Sequence, residues 1–144
     1  FDLQRKFDVI EMGFVLEHVD DPSLIIKRFA QMLHADGLLF AAVPNACSLH
    51  RLIGYHAGIL ESTHELSPAD LALGHKHYFD KESFCNLITQ IGLKIKKIEG
   101  IYLKPFSTSQ LQTLNLSPEV QQALLTIGST FPDICNSIYI EAGL

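Results

Sequence analysis

Residues 7–22 read FDVIEMGFVLEHVDDP and set a carboxylate beside an imidazole, Glu17 next to His18. An imidazole changes charge near neutrality, so His18 is a candidate general base for a substrate hydroxyl. The same pair also reads as a local salt bridge with a packed histidine. A second group is His64, His75 and His77, with Glu65 nearby. Its donor types suit zinc, but neither an HExxH run nor paired-cysteine spacing accompanies them, and no metal is expected. His75 and His77 read equally as substrate contacts or as surface histidines. A third is Cys47, three residues before His50. It lacks a glycine elbow and a third orienting group, and reads as a small apolar filler rather than a nucleophile.

These groups need elements to hold them. Phe7 to Ile10 read as a short buried strand, as in a parallel sheet covered on both faces. Asp21-Pro22 is a helix start, with Asp21 as cap and Pro22 at the first helical position. Ile25, Ile26, Phe29, Ala30 and Leu33 then recur at helical spacing. Asp36-Gly37 is read as a turn, and Leu38 to Val43 as a second buried strand stopped by Pro44-Asn45. This is a parallel crossover, and such sheets bind ligands beyond the carboxyl ends of their strands. Those ends are Glu11-Met12-Gly13 and Pro44-Asn45. Asn45 reads either as an amide that orients a ligand or as a simple turn residue.

Residues 46–79 read as an excursion of the kind that forms lids. Leu49, Leu52, Ile53, His56 and Leu60 mark one helical face, and Ser67-Pro68-Ala69-Asp70 is a capped start. Asp80 caps a further helix with Phe84, Leu87, Ile88 and Ile91 inward and Gly92 at its end. Lys94 to Leu103 alternates as a strand, and its slip at Lys96-Lys97 predicts a bulge. Ser117-Pro118 opens a helix ending near Gly128. The closing SIYIEA, residues 137–142, predicts a strand antiparallel to 94–103.

Composition narrows the function. The 144 residues are 47% hydrophobic and 19% charged, enough for one globular domain with a real core. A net charge of −5 argues against a non-specific grip on nucleic acid and against adsorption to anionic lipid. No apolar run approaches the length of a membrane span. Three widely spaced cysteines suggest neither disulfides nor a paired-cysteine site, and a cytoplasmic setting is the default expectation. The chain opens at Phe1, close to a buried strand, and is read as a piece of something longer.

FDVIEMGFVLEHVDDP, followed by LHADGLLFAAVPN, resembles the second half of class I S-adenosylmethionine-dependent methyltransferases. The likeness is above all to the small-molecule branch that includes ubiquinone-biosynthesis O-methyltransferases. GHKHYFDKESFCNLITQIGLKI, IYLKPFS and the closing IYIEA match later segments of that family in order. The resemblance implies an α/β, Rossmann-like partial sheet, its fourth to seventh strands, with the last antiparallel. Helices would cover both faces, with a helical lid insert at 46–79. It implies S-adenosyl-L-methionine as cofactor and transfer of its methyl group to a small-molecule acceptor. Glu11, Met12, Gly13 and Phe14 match the strand end beside the cofactor, and a close approach there favours glycine at Gly13. Glu17 and His18 match a pair that in the ubiquinone branch is held to bind magnesium together with a carboxylate three residues earlier. That position is Phe14 here, which speaks against magnesium and leaves His18 as the candidate catalytic base with Glu17 beside it. Asn45, His75, His77 and Tyr78 match positions at the substrate pocket.

The departures matter equally. The sequence contains no GxG, the turn with which the family grips its cofactor, and about three strand–helix units of roughly 30 residues each precede this region in the family. The resemblance therefore implies the C-terminal part of a domain, inactive alone, with the cofactor-binding half elsewhere. An alternative is a non-catalytic module for dimerisation or partner binding. Either way the strand at 7–12 would present an open sheet edge, a template for self-association.

Overall fold

The computed structural model describes residues 5–144. The chain enters the sheet with β1 (Phe7–Gly13), crosses through α1 (Pro22–Ala30) and returns as β2 (Leu33–Pro44), parallel to β1. The crossover starts as its residues dictate: Asp21 accepts a hydrogen bond from the Leu24 amide at 2.9 Å, and Pro22 follows at the first helical position. β2 begins five residues before the strand read from sequence, because Phe7 pairs with Leu33 and the ladder resumes only at Val9 with Leu38. The Asp36-Gly37 turn is thus a loop-out within one strand. A Cβ on Gly37 would lie 2.9 Å from the Phe7 carbonyl oxygen, so the loop closes only on glycine.

Five helices and two further strands follow among the described residues. The excursion carries α2 (Leu49–His56) and α3 (Pro68–Ala72), and α4 (Lys81–Gln90) leads into β3 (Lys94–Ile101). Then come α5 (Thr108–Leu114), α6 (Pro118–Gly128) and β4 (Ser137–Gly143). The strand order is β1-β2-β4-β3, with β4 antiparallel to both neighbours. The register of β3 slips between Ile95 and Lys97, the bulge expected there. β3 stops at Ile101 rather than Leu103 because Tyr102 adopts φ 58°, which no strand continues. The helix α5 has no counterpart in the sequence reading. None of its residues is buried, so no apolar stripe announces it. Its one signal is the capping box of Ser107 with Gln110.

The core lies on one face of the sheet. Leu39 and Val43 of β2 and Ile138, Ile140 and Ala142 of β4 are fully buried there. They meet Ile26 of α1 and Phe84 and Ile88 of α4, all at 0% exposure. Each such side chain contributes about 1.5–3 kcal/mol by leaving water. At the far edge α6 touches β3 backbone to backbone: a Cβ on Gly100 would lie 2.1 Å from the Gly128 oxygen. β1 is the outermost strand at the opposite edge. Among the described residues no helix is long and apolar enough to cross a membrane. The architecture is the expected α/β, Rossmann-like partial sheet.

Candidate functional site

Parallel pairing puts the carboxyl ends of β1 and β2 on the same edge, with Gly13 opposite Ala42 and Asn45 just beyond. Phe14, at the tip of β1, adopts φ 56° and is 48% exposed. Left-handed backbone on an aromatic residue is strained, and such strain gathers at binding sites. Phe14, Pro44 and Asn45 line a cleft of about 930 Å³ whose other walls come from the excursion and from residues 104–110.

The excursion is tied at its base and braced inside. Ala46 donates its amide to the Phe79 oxygen at 2.7 Å, so the two ends of the lid meet. Arg51 of α2, 5% exposed, donates from Nε to the Thr63 oxygen at 2.7 Å, from Nη1 to the Tyr78 hydroxyl at 3.2 Å and from Nη2 to the Glu65 oxygen. Its guanidinium also lies 4.2 Å from the Tyr78 ring centroid, a cation–π contact. Tyr78 donates its hydroxyl to Asp70 at 3.0 Å, and Asp70 closes the capping box of α3 with Ser67. Burial alone would raise Asp70, but hydrogen bonds from Ser67 and Tyr78 and the charge of Arg51 outweigh it and hold its carboxyl below the ordinary value. Burial pushes the Tyr78 phenol up to about 12. This network shapes one wall of the cleft.

Glu17, His18 and His75 form the chemical cluster. The Lys76 amide donates to the Glu17 carbonyl oxygen at 2.7 Å, and Lys76 Nζ reaches Asp20 at 2.6 Å, so segments 17–20 and 74–77 are stitched together. His18 and His75 stack edge to face with centroids 4.8 Å apart. His18 Nδ1 lies 3.2 Å from the Gly74 oxygen. A carbonyl only accepts, so Nδ1 carries a proton, and Nε2 lies 3.9 Å from Glu17 Oε1. Glu17 is 1% exposed and its Oε2 has no hydrogen-bond partner; burial pushes its carboxyl up, partly offset by a backbone hydrogen bond and by the two histidines. Among the described residues these three are the group of metal-type donors that converge, with atoms within 4.8 Å of one another.

The structure sorts the remaining residues singled out in the sequence. His75 and Tyr78 line the cleft with Phe14 and Asn45, whereas Glu17 and His18 stand behind His75. His77 donates Nε2–H to the Val19 oxygen at 2.8 Å and is not a lining residue. Met12 is 3% exposed and packed in the core, so what it offers a ligand is its main chain. Glu11 is exposed, with Gly13 close to its carboxylate: a Cβ on Gly13 would lie 3.2 Å from Glu11 Oε1. Asn45 is 1% exposed. Its amide nitrogen donates to Asp133 and Cys135 oxygens at 3.1 and 3.0 Å, and its oxygen accepts from the Cys47 amide at 2.9 Å. His64 pairs with Asp80 at 3.3 Å, and the cluster of metal-type donors that converges contains His75 but neither His64 nor His77. Burial raises the Cys47 thiol, the opposite of an activated nucleophile.

Sequence reasoning passed over Arg51, Lys104 and Phe106, all of which line the cleft. Arg51 sits in a helix whose apolar face alone was legible. Lys104-Pro105-Phe106 lay just past the strand read at 94–103 and carried no pattern that marked them; their signal is a cation, a proline and an aromatic residue together on a loop at the sheet's end.

A model of the methyltransferase domain matches residues 1–98. No curated protein sequence matches the chain. Among solved structures, a S-adenosylmethionine-dependent methyltransferase from Mesorhizobium loti is similar at 15% identity and TM-score 0.57, over 97% of this chain and 62% of that one. A SAM-dependent methyltransferase from Thermotoga maritima, described as a possible histamine N-methyltransferase, is similar at 16% identity and TM-score 0.57, over 99% and 59%. One from Archaeoglobus fulgidus is similar at 17% and TM-score 0.52, over 96% and 59%. The chain thus spans about three fifths of the length of the solved structures it matches. With a family model covering more than half its length, on a sheet of the matching fold, the chain belongs to the methyltransferase-domain family.

Proposed function

We propose that the chain is the C-terminal part of a methyltransferase domain that moves a methyl group from S-adenosylmethionine to a small-molecule acceptor, with residues 46–79 as lid. The observation that carries this reading is the shared edge: the strained tip of β1 at Phe14 opens on the same cleft as the end of β2 and the lid. The exposed Gly13-Phe14 main chain suits a ligand that lies close along the strand end. When bound, the cofactor supplies a sulfonium-activated methyl for in-line displacement. The residues of this chain align the acceptor, keep water out and receive a proton. The braced lid excludes water. His75 lies in the cleft wall where a released hydroxyl proton would be met, with the His18 ring edge-on behind it and Glu17 beside His18. Asn45 holds the end of β2 in shape through its amide, and Tyr78 forms part of the wall. The likeness to the ubiquinone branch, through the LEHV-DP segment, favours an oxygen acceptor.

A second reading rests on a specific observation: no GxG turn occurs in the chain, and it spans about three fifths of the solved structures it matches. On that reading it is a non-catalytic module that pairs through the open edge of β1. Titration calorimetry of the full-length protein with S-adenosylhomocysteine separates the two. The enzyme reading expects micromolar binding that Gly13→Trp weakens at least about tenfold. Undetectable binding by the full-length protein would leave the module reading.

A further inference from the structure

Lys104 is half-buried at the base of the cleft, and its ammonium donates to the Thr108 hydroxyl at 2.9 Å. No carboxylate of the described residues pairs with it, whereas Arg51 beside it is matched by Asp70 at 3.8 Å. Burial lowers the Lys104 ammonium from its ordinary range, and the charge of Asp70, already paired with Arg51, offsets only part of this. Two further polar groups in the same wall are left open. Ser48 is fully buried and caps α2 without a side-chain hydrogen bond, and its Oγ has no partner. His50, whose amide is bonded to the Lys104 oxygen at 3.1 Å, has Nδ1 buried and unpartnered. Burial and the nearby charges of Lys104 and Arg51 push His50 down to about 4, so at neutral pH it is an uncharged donor or acceptor. Buried groups left without partners in a cleft wall suit a polar ligand group.

Part of the cleft rim is of the opposite character. Phe14, Ile53, Ile59, Leu73 and Phe106 line it while between 43% and 77% exposed, with Ile59 the most open. We propose that the methyl acceptor is an amphiphilic monocarboxylic acid, its carboxylate held by Lys104 with Ser48 and His50, its apolar body lying along the Phe14, Ile59 and Phe106 rim. One unmatched cation balances one negative charge; a dianionic phosphate would leave a surplus charge in a half-buried site. The excess positive charge is local, since the chain as a whole carries −5, so it draws an anion to this wall specifically.

This inference rests on the methyltransferase reading for the word acceptor, but its binding test does not need cofactor or turnover. The full-length protein is titrated by calorimetry with octanoate, octan-1-ol and octylammonium, three probes sharing one apolar body. Octanoate should bind at least about tenfold more tightly than octanol, as one charge-assisted contact suggests, and octylammonium more weakly than either. Lys104→Met should remove the octanoate preference and leave octanol binding unchanged, and Lys104→Arg should restore it. Raising salt should weaken octanoate alone. Octanol binding as tightly as octanoate in the wild-type protein overturns the inference without recourse to any variant. So does an octanoate preference that survives in a folded Lys104→Met protein. S-adenosylhomocysteine is titrated in parallel. Its binding without an octanoate preference sinks this inference and spares the methyltransferase reading. An octanoate preference without its binding sustains the carboxylate site and removes the catalytic role.

Discussion

Replacing Arg51 by methionine should loosen the lid far more than the sheet. Methionine keeps much of the packing volume and removes the fork of donors. The Thr63 and Glu65 carbonyls and the Tyr78 hydroxyl then lose their donor, and Asp70 loses its positive neighbour at 3.8 Å. Removing one partner of a buried ion pair costs about 3–5 kcal/mol. The Asp70 carboxylate still accepts from the Ser67 amide and hydroxyl and from the Tyr78 hydroxyl, which places the loss near the lower end, about 3 kcal/mol. At 1.4 kcal/mol per decade that is on the order of 100-fold in the opening equilibrium. Native-state hydrogen exchange reads it directly. The Leu71 and His75 amides, bonded to the Ser67 and Asp70 oxygens, should exchange about 100-fold faster in the variant. Ladder amides of β4 between β2 and β3 should keep their rates, because none of the lost contacts touches the sheet. If lid and ladder amides accelerate by the same factor, the network holds the entire fold and the lid is not a separate unit. If the lid amides are unchanged, the Arg51 contacts contribute nothing.

Phe14→Gly should leave stability unchanged or raise it by up to about 1 kcal/mol, since glycine relieves the left-handed backbone, yet weaken ligand binding in the cleft; a loss of stability in a denaturant melt would show that Phe14 is held for packing. Asn45→Leu should cost about 2–4 kcal/mol, because the Cys47 amide and the Asp133 and Cys135 carbonyls lose a buried partner, and an unchanged urea midpoint would refute that. His50 has its folded value depressed to about 4 from 6.5, so the unfolded chain binds more protons between those values. Its contribution is complete above about 6.5 and is lost as pH falls through about 4, by roughly 1–2 kcal/mol once partial exposure is discounted. His50→Gln should flatten the stability profile in that window, and an unaltered slope would remove His50 as its source.

How much of this was legible beforehand follows from how local each signal is. The helix starts at Asp21-Pro22 and Ser67-Pro68 were readable because a cap satisfies amides two or three residues away. The parallel pair of β1 and β2 was readable from two short apolar runs joined by a capped helix, but the cover expected on both faces of β1 is not found: Val9 is 51% exposed and Met12 is its one buried residue. The bulge in β3 showed as a slip of a two-residue period. The helix α5 was not readable, since an element with no buried face leaves no period behind. Nor was the loop-out at 34–37, which depends on the main chain of Phe7 approaching Gly37 from another strand.

The site divides along the same line. By itself the sequence determined which residue types end each strand and that Glu17 adjoins His18, because these are properties of neighbours along the chain. Only the tertiary structure decided that His75 stacks on His18 from 57 positions away, that His77 turns to Val19 instead, and that Asn45 clasps residues 133–135. It likewise decided that Arg51 finds Asp70 while Lys104 finds no acid. The physical reason is that pairing, burial and the resulting charge states are set by distance through space, and a sequence records only distance along the chain.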